Sequence, residues 1–126
     1  MSDKSLYWVG SSLDDLKAFP ATVQRVMGFA LRQAQGGEKH EDAKPLAGFS
    51  GAGVLEVVEQ FAGNAYRAVY TVRFSDTVYV LHAFQKKSRR GIATPQKGID
   101  LVRQRLAWAQ EIHEERLRER ATGEQP

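Results

Sequence analysis

The chain has 126 residues with ordinary shares of apolar (42%) and charged (26%) residues, so we expect a single globular domain spanning 1–126. It has no cysteine, no apolar run of the roughly 20 residues that a membrane-spanning helix needs and no secretory signal at its start, which predicts a cytoplasmic protein without disulfides or membrane contact. The net charge of +3 is concentrated, because segment 82–105 has seven Lys or Arg residues and one acid, whereas 1–45 has six residues of each sign.

The first predicted elements are one strand and two helices. Leu6–Val9 is short, aromatic and β-branched, which predicts a strand that enters the sheet. Ser12 is expected to cap a short helix, with Asp15 at the capping-box position. Pro20 suits the first turn of a second helix, in which apolar residues recur at helical spacing until Gly36 and Gly37 end it. The two helices are expected to form a hairpin.

The middle of the chain predicts a long connection and then an antiparallel meander. Residues 36–53 are polar and glycine-rich, but they lead into a strand and lack the Lys-Ser/Thr ending of a phosphate loop. Three β-rich runs follow, at Val54–Phe61, Ala65–Phe74 and Thr77–Phe84.

Alternation along the middle run predicts that Arg67 and Arg73 project from the same face of the sheet. Two cations that project together can hold phosphate. Alternatively, they flank the sheet and pair with Glu56 or Glu59.

The last predicted element is a helix that Thr94 and Pro95 cap and open. Its apolar residues form two seams, one of Ile99, Val102, Leu106, Ala109 and His113, the other of Leu101, Trp108 and Ile112. A stripe this wide indicates either a well-buried terminal helix or a surface that meets another chain. Beyond Leu117, the mixed-charge tail 118–126 is expected to fray.

The most informative segment is 82–90, where a histidine and an aromatic residue stand among cations. Cations hold phosphates and aromatic rings stack bases, so this segment is typical of an RNA-binding surface, although a solvated basic turn has the same composition. RNA cleavage without a metal needs a base, an acid and cations that stabilise phosphorane-like charge. The side chains expected to supply these roles from adjacent strands are Arg67, Arg73, His82, Lys86 and Lys87. Taken alone, His82 has the alternative of a packed strand histidine.

The three histidines stand in separate elements, so we expect no metal site and no cofactor.

Several of these residues together resemble a known family. The run Lys44-Pro45-Leu46, the strand Tyr66–Tyr70, the strand end Val80–Ser88 and the pair Thr94-Pro95 look like the phage-related HigB branch of the RelE/ParE toxin superfamily. The resemblance covers about residues 5–113. Its most specific part is the aromatic-Arg strand followed by His-x-Phe-x-Lys-Lys and Thr-Pro.

The resemblance implies an α+β, RelE-like fold, in which two N-terminal helices and a C-terminal helix accompany a small antiparallel sheet made of the N-terminal strand and the meander. It also implies ribosome-dependent cleavage of messenger RNA, restrained by a cognate antitoxin, commonly a helix-turn-helix protein, through which alone operator DNA would be contacted. Carried over by position, the implied catalytic residues are Arg67, His82 and Lys86. The RNA-binding residues that the resemblance implies are Lys44 and Lys87. Strand alternation and the composition of segment 82–90 add Arg73, Phe84, Arg89 and Arg90 to the predicted RNA-binding residues.

One position departs from the family pattern. Relatives often have an arginine two residues after the Glu of the first meander strand, where this chain has Val58. The departure implies a rearranged site or weaker cleavage. Two alternatives therefore stay open: a ParE-like toxin that inhibits DNA gyrase without chemistry of its own, and a plain RNA-binding module.

Overall fold

The computed structural model describes residues 3–49, 51–87 and 94–123, which form an α+β structure with one sheet of five strands. The elements are, in chain order, β1 (Ser5–Trp8), α1 (Ser12–Lys17), α2 (Ala21–Gln35), β2 (Ala43–Pro45), β3 (Val54–Phe61), β4 (Asn64–Thr71), β5 (Thr77–Lys87) and α3 (Gln96–Gly123). The strand order is β1-β5-β4-β3-β2. The predicted meander is confirmed as β3-β4-β5, with antiparallel neighbours. No helix in the described ranges combines the length and apolarity needed to cross a membrane.

The sheet differs from the prediction in two respects. Part of the expected connection forms β2, which pairs antiparallel with β3. β2 has only three residues, too few to show the alternation of apolar and polar side chains by which a strand is predicted. Pro45 is tolerated in it because β2 is an edge strand. In addition, β1 pairs parallel to β5, so the sheet is mixed rather than antiparallel.

The turn between β3 and β4 sets the register of the β-hairpin that these two strands form. Ala62 and Gly63 both have positive φ, at 50° and 81°, as a two-residue type I′ turn requires. Phe61 therefore pairs with Asn64, and counting back along both strands places Val58 opposite Arg67.

Two hydrophobic cores lie on opposite faces of the sheet. On one face, which we call the hairpin face, α1 and α2 pack through residues such as Val23 and Met27 against strand residues such as Tyr70. On the other, the α3 face, Val102 and Ala109 pack against strand residues and the 46–54 segment. Each fully buried aliphatic or aromatic side chain contributes about 1.5–3 kcal/mol relative to exposure, so the two cores fix which face each strand residue takes.

The helix starts differ from prediction in their capping residues. Ser11, not Ser12, is the N-cap of α1, and the Ser12 hydroxyl instead donates to the Val80 carbonyl. Thr94 is not the N-cap of α3 either, because the helix begins at Gln96 and Pro95 is the residue before it, while the Thr94 hydroxyl donates to Glu56 Oε2 at 2.6 Å. In both cases a long-range partner competes successfully with the local backbone.

α3 is longer than predicted and leaves part of its apolar stripe uncovered. It continues to Gly123, past the point where we expected fraying, and Arg120 on its last turns forms an ion pair with Asp76 at 2.9 Å. Residues 124–126 lie outside the described residues. The first predicted seam is buried at Val102, Ala109 and His113, whereas Trp108 of the second seam is 41% exposed.

Candidate functional site

Four of the predicted site residues lie on one face of two adjacent strands. In the β4–β5 ladder, Arg67 is opposite Phe84, while His82 and Lys86 lie two residues before and two residues after Phe84 on β5. Cross-strand partners project to the same face of a sheet, so all four side chains lie on the α3 face. We call Arg67, His82, Phe84 and Lys86 the site face. The structure thus brings together four of the residues that the sequence proposes for the site.

Arg67 is buried in an ion pair, which was one of the two alternatives. Its side chain is 7% exposed, and its Nη1 donates to Glu56 Oε1 at 3.0 Å. The other carboxylate oxygen of Glu56 accepts from Thr94, whose Oγ1 is also 3.5 Å from Arg67 Nη1. The sequence predicts Glu56 only as a partner of the arginine and does not predict Thr94 at the site, because the contact between Thr94 and Glu56 joins residues 38 positions apart.

His82 is packed and uncharged at neutral pH. Its ring stacks on Phe84 with centroids 4.6 Å apart and an interplanar angle of 19°. Burial, and secondarily the positive charge of Arg105, lower the pKa of His82 from 6.5 to about 4, against the opposing effect of Asp15. Within the described part of the chain, its buried Nδ1 has no hydrogen-bond partner. A neutral imidazole is the form that accepts a proton.

Open cavities lie on both sides of the His82–Phe84 stack. One of about 300 Å³ lies against the start of α3, and its lining includes Pro95, Lys97 and Leu101. The other, of about 370 Å³, lies against the end of α1 and is lined by Asp15, Ala18, Phe19 and residues 82–85. An aromatic surface between two cavities can stack an unpaired base.

Lys44 extends the cationic surface beyond the ion pair. It is exposed, and its register position opposite Glu56 places it on the α3 face. Together with Glu56, Thr94 and Arg103 it lines a cavity of about 510 Å³. The Arg103 guanidinium lies over the Phe49 ring, 4.8 Å from its centroid. Arg103 belongs to the basic segment 82–105 but is not among the residues that the sequence predicts for the site.

Arg73 is not brought to the site, which corrects the prediction that two arginines project together. β4 ends at Thr71, and Arg73 is exposed beyond it, with its guanidinium 5.9 Å from the Phe74 ring centroid. Arg73 stands six residues beyond Arg67, which corresponds to about 20 Å of extended chain. Lys86 lies on the other side of Arg67, opposite Ala65, so Arg73 is near the opposite end of the sheet from Lys86. Period-two counting failed because it continued past the end of the strand.

The side chains of three further predicted cations lie outside the described residues. Lys87 ends β5 opposite Asn64, but its side chain lies outside the described residues, as do Arg89 and Arg90 entirely. In the ranges that the structure covers, no group of three or more His, Cys, Asp and Glu side chains is arranged to hold a metal ion. The described chemistry therefore comprises a neutral imidazole, a stacking ring, the Arg67–Glu56 pair and the cations Lys44, Lys86 and Arg103.

Comparisons with known proteins concern the family and the fold. Residues 14–107 match the family described as Phage derived protein Gp49-like (DUF891). No curated protein is similar enough in sequence to match. The structure is similar to that of a mutant of E. coli toxin RelE in the free state, with 19% identity and a TM-score of 0.50 over 66% of this chain and 82% of that one. It is also similar to the toxin-antitoxin complex RelBE2 from Mycobacterium tuberculosis, with 22% identity and a TM-score of 0.44 over 70% and 97% of the two chains. The similarity to the RelE structure confirms the predicted RelE-like fold.

Proposed function

Because the chain belongs to the Gp49-like family of phage-derived proteins and has a RelE-like fold, we propose that it is the toxin of a type II toxin–antitoxin system, acting as a ribosome-dependent mRNA endoribonuclease. The observation that carries the proposal is the site face, where a cation, an imidazole and a stacking ring stand beside Arg67. Family and fold alone do not specify a reaction, so the proposed reaction rests on the side chains of the site face.

The proposed reaction is attack of a ribose 2′-oxygen on the adjacent phosphorus. The P–O5′ bond breaks and the departing O5′ takes a proton from a water molecule, which leaves a 2′,3′-cyclic phosphate and a 5′-hydroxyl. The hydroxide that this water leaves is neutralised by the proton that the 2′-hydroxyl gives up. Neutral His82 is the proposed base for the 2′-hydroxyl proton, and Lys86 stabilises the charge that develops on the phosphate oxygens. A phosphate bound nearby would raise the pKa of His82, because a negative charge favours the imidazolium, and would make it a stronger base. Phe84 is proposed to stack a base.

Arg67 is proposed to act mainly by organising this surface. A guanidinium with a 7% exposed side chain is poorly placed to meet a phosphate directly, but its bond to Glu56 fixes the carboxylate that also holds Thr94 at the start of α3. Direct phosphate contacts are assigned to Lys86, and to Lys44 and Arg103 around the neighbouring cavity. Val58 lies opposite Arg67, so the arginine that relatives often carry would stand beside this pair.

The test is primer extension on defined transcripts, with and without ribosomes. The wild-type chain is expected to produce discrete cuts within codons only when ribosomes are present. Lys86→Ala should reduce cleavage by roughly 100-fold, the size typical of losing one group that stabilises transition-state charge. Lys39→Ala is the matched control, because it removes the same charge from the exposed segment after α2. Equal activity of both variants would remove Lys86 from the site.

The proposal includes a cognate antitoxin, of the helix-turn-helix class, and contact with operator DNA only through it. Induction of the chain alone should arrest growth, and co-expression of the neighbouring reading frame should relieve the arrest. Purification of the tagged chain from such cells should recover the second protein in a fixed ratio. Growth arrest that the neighbouring frame does not relieve would contradict this part.

The burial of Arg67 favours a second candidate, a ParE-like toxin without chemistry of its own. A packed histidine and a paired arginine are also what a purely structural sheet would contain. This candidate predicts intact transcripts together with gyrase-linked DNA breaks after induction. A plain RNA-binding module would produce neither result, and would not arrest growth.

A further inference from the structure

The side chains of β5 change faces at Leu81. Before it, odd-numbered residues face α3 and even-numbered residues face the helical hairpin. After it the order is reversed, because Ala83 lies in the hairpin core while His82 is opposite Val69 on the α3 face. The β4–β5 ladder passes over Leu81, which makes this residue a β-bulge.

The bulge is a condition for the site face. With unbroken alternation, His82, Phe84 and Lys86 would project into the apolar core beneath α1 and α2, on the opposite side of the sheet from Arg67. Because Leu81 is inserted, all three project beside Arg67 instead. Whatever maintains the bulge therefore determines whether the site exists.

Arg105 of α3 is bound to the bulge. Its guanidinium is in a residue that is only 8% exposed, and Nη1 donates to the Leu81 carbonyl at 2.9 Å. Nη2 donates to Ser11 Oγ at 3.0 Å, and Ser11 in turn donates to Asp15 Oδ2 at 2.7 Å. The bulge residue, α3 and the start of α1 are thus joined through one side chain.

Gly10 leaves room for this side chain. A Cβ on Gly10 would stand 3.0 Å from Arg105 Nε, and the backbone there has a φ of +58°. Glycine accepts that conformation without strain, so the loop after β1 can cover the guanidinium closely.

We propose that Arg105 is a positioning residue, which holds the bulge at Leu81 and so presents His82, Phe84 and Lys86 beside Arg67. What the site face does rests on the proposed function. The placement of His82, Phe84 and Lys86 does not depend on that function. The inference can therefore hold even if the protein does not cleave RNA.

The test compares Arg105→Met, which keeps an apolar stem but cannot donate, with Arg105→Lys, which keeps a cationic donor. Arg118→Met, at an exposed position of the same helix, is the matched control for the change in charge. NMR contacts between His82 and Val69 and amide exchange along β5 report the bulge directly. In Arg105→Met, the His82–Val69 contacts are expected to be lost and amides 82–87 to exchange at least about tenfold faster, while the β3–β4 amides keep their rates. Arg105→Lys and Arg118→Met should resemble wild type.

A second readout separates positioning from general stabilisation. Among the described residues, the charges that act on His82 are those of Arg105 and Asp15, so Arg105→Met is expected to raise the pKa of His82 and Arg105→Lys to leave it low. If Arg105→Met does not fold, Arg105→Lys still decides: native His82–Val69 contacts support the inference, and their loss in a folded protein overturns it. A folded Arg105→Met with wild-type contacts and exchange rates also overturns it. Absence of cleavage by the wild-type protein would contradict the proposed function. It would not change what the contacts and exchange rates of the Arg105 variants say about the bulge.

Discussion

At the scale of single residues, His82 couples folding to pH. Its pKa is lowered from 6.5 to about 4 by burial and by Arg105, so between these values the unfolded chain binds more protons than the folded one. We predict that the free energy of unfolding rises with pH across this window, and that the contribution is lost as the pH falls from about 6.5 towards 4. His82→Gln should flatten the dependence in denaturant titrations. A wild-type His82 resonance that titrates near pH 6.5 would contradict the prediction.

The Arg67–Glu56 pair makes a second prediction at this scale. Removing one partner leaves the other charge buried, so Arg67→Met should lower the free energy of unfolding by roughly 3–5 kcal/mol. The double variant Arg67→Met with Glu56→Met should recover most of this loss, because it removes both charges of the pair. The measurement is a denaturant midpoint for the wild type, both single variants and the double variant. Additive losses would show that the two side chains are not coupled. Toxicity assays of Arg67→Met alone would therefore mix loss of fold with loss of function.

At the scale of elements, the last turns of α3 are held by a polar cluster at the far end of the sheet. Asp76 pairs with Arg120 at 2.9 Å and lies 3.7 Å from His113, whose Nδ1 is 3.0 Å from the Tyr79 hydroxyl. Burial acts to raise the pKa of Asp76, but hydrogen bonds from Arg120 and Thr77 and nearby positive charge lower it overall. The cluster explains why α3 continues as a helix beyond Leu117.

We predict that Asp76→Asn loosens the end of α3 without unfolding the protein. The Arg120 side chain is 51% exposed, and pairs of this kind contribute only about 0.2–1 kcal/mol. Amides 114–123 should exchange several-fold faster, whereas those of β3 and β4 should be unchanged. Glu119→Gln removes an acid from an exposed position of the same helix and serves as control. Equal exchange in the two variants would contradict the assigned role of Asp76. Asp76 stabilises the end of α3 only while its carboxyl group is ionised. The exchange rates of amides 114–123 in the wild type should therefore approach those of Asp76→Asn as the pH falls through the lowered pKa of Asp76.

At the scale of the whole molecule, the distribution of charge predicts how RNA binding depends on salt. The described cations of the α3 face include Lys44, Lys86 and Arg103, whereas Arg73 lies at the other end of the sheet. For single-stranded RNA, Lys86→Ala should reduce the slope of log K against log salt by about 0.7, and Arg73→Ala should leave it nearly unchanged. Fluorescence titrations at several salt concentrations measure both. Equal changes for the two variants would contradict a localised interface.

The sequence by itself determined the three helices, β1, the meander and the basic segment, because hydrophobic periodicity, turn residues and charge are local properties of the chain. It also pointed to the strand residues of the candidate site, through Arg67 and the 82–86 strand end, but not to the edge strand β2. Only the tertiary structure decided that β1 runs parallel to β5, that Thr94 and Glu56 hold Arg67, and that Arg73 stands apart. The reversal of faces at Leu81 belongs to the same class, since a bulge depends on the register of two strands and on a donor from α3. Such contacts join residues distant in sequence, so no pattern within one segment contains them.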